Sequence, residues 1–353
     1  MLLSGIFPAI TTPFYPDGRL YLKKLEHNVD RYSRTPIAGV TVLGSTGETV
    51  MLSEEEQREV LRVAAEVAAP EKVLLAGVGF ESAIETLRMA EHAAKLNYDV
   101  ALVRTPHYYR PQMKPENLLA FYRFVADRCS LPVLLYSVPP FTAYDLPTEV
   151  IAELAEHPNI IGIKESSGSV EKIADIVART REIRRTVSAT EVFNAVTRRM
   201  LEEDAQPAEA LVTVAALAGN SAAHSSPSAP SKPKFRIRQR EVGFQLLAGS
   251  AQKLLPSLDA GAAGAVLAFA TVAPTACFEI YTAWKDGDRE LAQLKQKRIV
   301  EPATRVGSQL GIPALKYALD LNGYYGGPPR LPLLPLTAEL RAEVERFMAD
   351  VRN

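Results

Sequence analysis

A lysine closes an apolar run, Ile160-Ile161-Gly162-Ile163-Lys164. If that run is a buried strand, the lysine emerges where water is scarce, and burial disfavours its ammonium form against the free amine. A free amine attacks a ketone to give a Schiff base, and the iminium then acts as an electron sink. Position alone leaves a second reading open, a strand-end lysine paired with Glu165 or simply solvated. Tyr136 stands near the end of another apolar run, Val133–Val138. A phenol beside such a lysine can carry protons to and from a carbinolamine and a leaving aldol oxygen. A core tyrosine whose hydroxyl meets a backbone partner is the commoner situation.

Other segments offer polar groups at similar places. Gly44-Ser45-Thr46-Gly47-Glu48 is a small, hydroxyl-rich turn whose backbone N–H groups and hydroxyls suit a carboxylate or other small anion. It also reads as an ordinary strand-to-helix turn with Glu48 for packing or capping. Tyr108, Tyr109 and Arg110 follow Thr105-Pro106-His107 and could line a site, form a subunit contact or pack on their own domain. Lys164-Glu165-Ser166-Ser167-Gly168 and Gly249-Ser250 add further hydroxyls. The five histidines do not cluster at metal-ligand spacing, so no metal site is expected. No Walker A motif is present to support nucleotide binding. Tyr324-Tyr325-Gly326-Gly327 reads as a turn.

These residues need elements to carry them. Strand-like runs fall at Gly5–Ile10, Gly39–Leu43, Val73–Val78, Val100–Arg104, Val133–Val138 and Ile160–Lys164, then at Phe244–Ala248 and Gly264–Ala268. They are apolar throughout, as strands buried on both faces are. Helical patterns separate them: Leu22–Arg34, Ser53–Ala68 with a capping-box start, Ser82–Leu96, Pro115–Cys129, Leu146–Glu156, Val170–Arg179 and Gln252–Asp259. Eight such units predict an α/β chain, a closed (β/α)8 TIM barrel, with chemistry at the C-terminal strand ends. A doubly wound sheet is disfavoured, because Thr11-Thr12-Pro13-Phe14 after the first strand is no Gly-rich phosphate turn. Ala273–Trp284, Arg289–Gly307, Pro313–Leu321 and Thr337–Val351 extend the chain as C-terminal helices, past a Pro-rich connection at Gly326–Pro335.

The alternation breaks from Arg185 to Val242, where no clear strand is expected. Glu191–Glu203 and Pro207–Leu217 suggest short helices. Ala218–Pro233, rich in Ala, Ser and Pro, reads as disordered, and Lys234, Arg236, Arg238 and Arg240 form a basic run. The expected layout is a barrel over 1–285, interrupted by an insertion at 186–242 between helix 6 and strand 7, and a helical region over 286–353. The insertion reads as a tolerated surface segment or, through its basic run, a contact.

Forty basic against 41 acidic residues, a net charge of −1, argue against a nucleic-acid partner. Two cysteines, Cys129 and Cys277, make no disulfide framework and fit a reducing cytoplasm. The first residues lack a basic n-region and no 18-residue apolar stretch exists, so neither a signal peptide nor a membrane span is expected.

Together GSTGE at Gly44, TPHYYRP at Thr105, YSVP at Tyr136, GIKESSG at Gly162 and LAGS at Leu247, in that order, resemble the dihydrodipicolinate synthase/N-acetylneuraminate lyase family of Schiff-base aldolases. The resemblance runs from Gly5 to about Arg185 and from Gly243 onward. It implies Lys164 as the Schiff-base lysine, Tyr136 as proton shuttle, Thr46 as its hydroxyl relay, and Ser45 and Thr46 as holders of the pyruvoyl carboxylate. Tyr108 matches a tyrosine that reaches across a tight dimer. Gly249 and Val266 match the lining of the pyruvate pocket, and Ser166 joins the substrate-binding set. A homotetramer, a small 2-oxo acid substrate and no cofactor beyond the covalent imine are further implications. Phe141 occupies the position of an arginine that in dihydrodipicolinate synthases holds the second reactant's carboxylate, and a phenyl ring cannot pair with one. YSVP, FQLLAGSA at Phe244, GIPALK at Gly311 and GYYGGPPRLPL at Gly323 look like the 4-hydroxy-2-oxoglutarate aldolase branch. The expected reaction is cleavage of a 4-hydroxy-2-oxo acid to pyruvate and an aldehyde such as glyoxylate. The alternatives are dihydrodipicolinate synthase, N-acetylneuraminate lyase, a 2-keto-3-deoxy sugar-acid aldolase or dehydratase, or a non-catalytic pyruvate-binding scaffold.

Overall fold

A computed structural model describes residues 2–191 and 236–351. Among the described residues ten short strands occur in chain order: β1 (Gly5–Pro8), β2 (Gly39–Val42), β3 (Val73–Gly77), β4 (Val100–Arg104), β5 (Val133–Ser137), β6 (Ile160–Glu165), β7 (Arg185–Glu191), β8 (Arg236–Val242), β9 (Gln245–Ala248) and β10 (Gly264–Leu267). Eight of them pair in the order β2-β3-β4-β5-β6-β9-β10-β1, and each pair is parallel. A bridge between Ala9 and Thr41, with Ile10 N donating to Thr41 O at 3.0 Å, joins β1 to β2 and closes the ring. The result is the expected (β/α)8 barrel.

Alternation along each strand splits the apolar residues into two populations. Phe7, Leu75, Leu102, Leu134, Leu247 and Val266 form one buried cluster, which fills the barrel. Val42, Val103, Leu135 and Ile163 belong to another, packed under the helices. The surrounding helices are α1 (Leu22–Ser33), α2 (Glu54–Val67), α3 (Ala83–Lys95), α4 (Pro115–Arg128), α5 (Pro139–Thr142), α6 (Thr148–Ala155), α7 (Val170–Thr180), α8 (Leu254–Asp259) and α9 (Pro274–Lys285). The capping box expected at Ser53 forms: its side chain accepts from Glu56 N, and the Glu56 carboxylate accepts from Ser53 N. Beyond the barrel lie α10 (Arg289–Pro302), α11 (Ile312–Leu321) and α12 (Ala338–Met348). The single helix expected over Arg289–Gly307 is instead α10 followed by a π-helix at Ala303–Gln309. The change starts at Pro302, which has no N–H for the regular ladder.

One expectation is corrected. Between Arg185 and Val242 no strand was expected, yet β7 and β8 pair as a separate two-stranded sheet. Their sequences, RTVSATE and RIRQREV, lack the continuous apolar run used to recognise the barrel strands. A small ribbon does not need both faces buried, so that signal is missing. The suggested helices after Glu191 and the Ala218–Pro233 tract lie outside the described residues. The chain divides into two compact units, residues 1–187 with 241–353, and residues 188–240; the site below belongs to the first.

Candidate active site

β5 and β6 pair with Tyr136 opposite Lys164, which puts both side chains on the same face. Tyr136 packs in the barrel-filling cluster, so that face is the interior. Both residues are buried, Lys164 5% and Tyr136 4% exposed, and the Lys164 amine lies 4.0 Å from the centre of the Tyr136 ring. Glu165, the next residue, points the other way. Its carboxylate accepts from Ser167 N and Ser167 Oγ and pairs with Lys172 of α7 at 3.4 Å. Lys172 also pairs with Asp145, which accepts from Ser137 Oγ at 3.2 Å. The acid beside Lys164 in sequence is therefore engaged on the outer face of the strand.

The GSTGE turn follows β2. Ser45 Oγ and the Tyr136 hydroxyl share a hydrogen bond of 3.2 Å. The resemblance put the relay at Thr46; the hydroxyl that meets Tyr136 is its neighbour's, while Thr46 is buried in the same single turn. Sequence order could not separate two adjacent hydroxyls, because the tight turn aims them differently. Thr12 Oγ1 donates to Gly47 O at 2.7 Å, and Glu48 adopts a left-handed backbone, φ 55°. Glu48 meets Lys316 of α11 at 2.5 Å, both side chains fully buried. Lys316 also donates to Thr12 O and Pro328 O, each at 2.9 Å. Burial pushes the Lys316 amine down to about 8, against the opposing pull of Glu48. Arg330 N donates to the second Glu48 oxygen at 2.8 Å, and the Arg330 guanidinium pairs with Glu56. The C-terminal region thus grips the turn that carries Ser45. The sequence held no signal for this contact beyond GIPALK, since Glu48 and Lys316 are far apart along the chain.

At the ends of β6 and β9, Gly249 N donates to Glu165 O at 2.7 Å. A Cβ at Gly249 would stand 1.9 Å from Ser166 Oγ, so only glycine permits this approach. Ser166 Oγ and Ser250 Oγ are both buried atoms without a hydrogen-bond partner among the described residues. Val266 is fully buried in the barrel-filling cluster with Tyr136. Tyr108 and Phe141 differ from these: they are 77% and 66% exposed. The Tyr108 loop is held by Glu81, whose carboxylate accepts from the backbone N–H groups of His107 and Tyr108. One charged residue escaped the sequence reading. Arg104 ends β4 opposite Tyr136 of β5, two strands over from Lys164. Its signal was present, a cation closing the apolar run Val100–Val103.

A buried amine against a phenol at the mouth of a (β/α)8 barrel is the equipment of a Schiff-base lyase, and fold and relatives agree on that enzyme class. The model of the Dihydrodipicolinate synthetase family matches residues 2–193 and 211–351, and the chain belongs to that family. The match takes in part of the 186–242 segment, so the departure from the family is narrower than expected. The chain is 30% identical over 352 residues to the 4-hydroxy-tetrahydrodipicolinate synthase of Methanothrix thermoacetophila, covering 100% of this chain and 98% of that protein. It is 31% identical over 350 residues to the synthase of the same name from Xanthomonas axonopodis pv. citri, covering 99% and 95%. Among solved structures it resembles a dihydrodipicolinate synthase from Bacillus anthracis, with a TM-score of 0.78, 22% identity and full coverage of both chains. It also resembles a prophage protein of the dihydrodipicolinic acid synthase family from Escherichia coli K12, solved in complex with pyruvate, with a TM-score of 0.77, 23% identity and 99% coverage of each. These names favour the synthase alternative over the 4-hydroxy-2-oxoglutarate aldolase branch. No helix among the described residues is long and apolar enough to cross a membrane.

Proposed function

We propose that the chain forms a Schiff base between Lys164 and the C2 ketone of a 2-oxo acid, and makes or breaks a carbon–carbon bond through the resulting enamine of pyruvate. The observation that carries this reading is the 4.0 Å approach of the Lys164 amine to the Tyr136 ring, with Ser45 hydrogen-bonded to the Tyr136 hydroxyl. In the cleavage direction Lys164 adds to the ketone and water leaves. Tyr136 takes the C4 hydroxyl proton as the C3–C4 electrons move into the iminium, and the aldehyde departs. The enamine then takes a proton at C3, and hydrolysis releases pyruvate and the free amine. In the synthetic direction the same enamine attacks an aldehyde. Ser45, rather than Thr46, is the relay to Tyr136, and the Ser45–Thr46 turn holds the pyruvoyl carboxylate. Ser166, Gly249 and Val266 line the pocket. The chemistry as drawn uses only groups of the chain itself.

Two readings of the second reactant stand. The relatives' names support condensation of pyruvate with an amino aldehyde, as in 4-hydroxy-tetrahydrodipicolinate synthases. The YSVP motif supports cleavage of a 4-hydroxy-2-oxo acid, whereas Phe141, which cannot pair with a carboxylate, does not choose between the aldehydes. The exposure of Tyr108 suits a contact with a second copy of the chain, which we extend to a homotetramer in the cytoplasm, although one structural neighbour is described as a monomeric variant. We retain the layout of a barrel over 1–285, interrupted at 186–242, and a helical region over 286–353. Borohydride reduction with pyruvate tests the central step. The wild type should gain a covalent adduct and Lys164→Ala should not; an unlabelled wild type, or a labelled Lys164→Ala, refutes it. Measuring product formation with each candidate aldehyde and pyruvate release from each candidate 4-hydroxy-2-oxo acid then separates the two readings.

A further inference from the structure

The cluster that fills the barrel is aliphatic and aromatic, and charged side chains are rarely buried unless paired. Arg104 is the exception on β4. Val100 and Leu102 of this strand belong to the barrel-filling cluster, while Ala101 and Val103 pack under the helices. Thr105 continues the outward set, because its hydroxyl accepts from Tyr122 of α4 at 3.0 Å. Alternation therefore aims Arg104 inward. A Cβ at Gly79, on the loop after β3, would stand 2.4 Å from Arg104 N and 3.0 Å from Arg104 Cβ, so the glycine lets this loop pass close against the backbone of β4 at Arg104.

The Arg104 side chain is 14% exposed, and its Nε is a buried atom without a hydrogen-bond partner among the described residues. Its ion pair with Glu81 is long, 3.5 Å, and Glu81 already serves two backbone N–H groups of the Tyr108 loop. Register sets Arg104, Tyr136 and Lys164 side by side on three adjacent strands. Strand spacing makes the Cα atoms of Arg104 and Lys164 about 10 Å apart. A guanidinium on one side and an amine on the other can span a short acyclic acid: the amine holds C2, and the guanidinium fork meets a carboxylate at the far end. Phe141 cannot supply that charge.

We propose that Arg104 is a specificity-determining residue that receives the carboxylate of the second reactant, so that the aldehyde partner of pyruvate is itself a carboxylic acid. This rests on the Schiff-base reading of Lys164 and holds for either direction of the reaction. It also removes the objection that Phe141 raises, since the cation comes from β4 instead.

The test uses the full-length enzyme, pyruvate and two aldehyde pairs that differ in a carboxylate: glyoxylate against acetaldehyde, and 2-amino-4-oxobutanoate against 3-aminopropanal. The wild type should prefer the acid in the pair it uses. Arg104→Met should cut kcat/KM for that acid by ~100-fold, the scale of a lost charge-assisted pair, and leave the uncharged partner little changed. Borohydride-trapped pyruvate should persist in Arg104→Met. A wild type without preference for the acid, or a variant that loses both members of a pair equally, overturns the inference. If Arg104→Met does not fold, Arg104→Lys keeps the charge without the fork and should lose about tenfold of the preference; an unchanged preference again overturns it. A wild type that traps no pyruvate refutes the Schiff-base reading instead, whereas trapping with an unshifted preference refutes the role of Arg104 alone.

Discussion

Gly249→Ala adds one methyl group at the tightest point near Lys164. Its carbon would lie 1.9 Å from Ser166 Oγ, 2.7 Å from Ser166 Cβ and 2.9 Å from Glu165 O. Carbon atoms rest about 3.5 to 4.0 Å apart, so the Ser166 Cβ contact is short by about 1 Å. Turning the Ser166 side chain moves only its hydroxyl. The other two contacts require the ends of β6 and β9 to separate, which stretches the 2.7 Å bond from Gly249 N to Glu165 O. Overpacking of this kind costs about 1–3 kcal/mol. The displaced residues directly follow Lys164, and a 1 Å misplacement of reacting groups slows a reaction by about 100-fold. Urea unfolding and pyruvate-dependent turnover should therefore both fall, the second more steeply. Ser166→Gly combined with Gly249→Ala removes the two Ser166 contacts but keeps the one to Glu165 O, so the double variant should regain part of the lost stability. A Gly249→Ala enzyme with an unchanged urea midpoint and turnover within twofold of wild type refutes the reasoning.

Other outcomes follow from single contacts. Ser45→Ala should lower kcat by about 100-fold or more, and by more than Thr46→Val does; the opposite ranking in steady-state kinetics returns the relay to Thr46. Tyr32 is fully buried and donates to Thr271 O at 2.6 Å, so Tyr32→Phe should cost about 1–3 kcal/mol in urea unfolding, and no change would contradict that account. Lys316 titrates near 8 while facing Glu48, Arg330 and Asp320, so activity should fall as pH rises through about 8 and the cation that grips Glu48 is lost. The sign differs for stability: the folded value lies below the ordinary 10.5, so the unfolded chain holds this proton more tightly, and the cost of burying it is present below about 8 and fades as pH rises. A pH–rate profile in which Glu48→Gln with Lys316→Met keeps the same alkaline limb would assign that limb to another group.

Much of the fold was legible. The apolar runs ending at Arg104 and Lys164 mark strands because a strand buried on both faces has no polar alternation, and Ser53 with Glu56 marks a helix start because both groups act within one turn. β7 and β8 were illegible for the complementary reason, since a ribbon of mixed polar sequence carries no such run. Lys164 and Tyr136 stood out by residue type at strand ends. Their partners did not: Glu165 was an equally good neighbour for Lys164 on paper, yet it turns outward to Lys172.

The amino-acid order by itself determined the barrel, the buried amine and the phenol, because each depends on local patterns of burial along one strand. The tertiary structure decided which hydroxyl meets Tyr136, that Lys316 reaches back to Glu48, and that Arg104 shares the interior with Lys164. Those facts depend on the register between neighbouring strands and on contacts closed across long loops. Alternation within a strand tells which side chains share a face, but only the folded barrel brings the faces of different strands to one point.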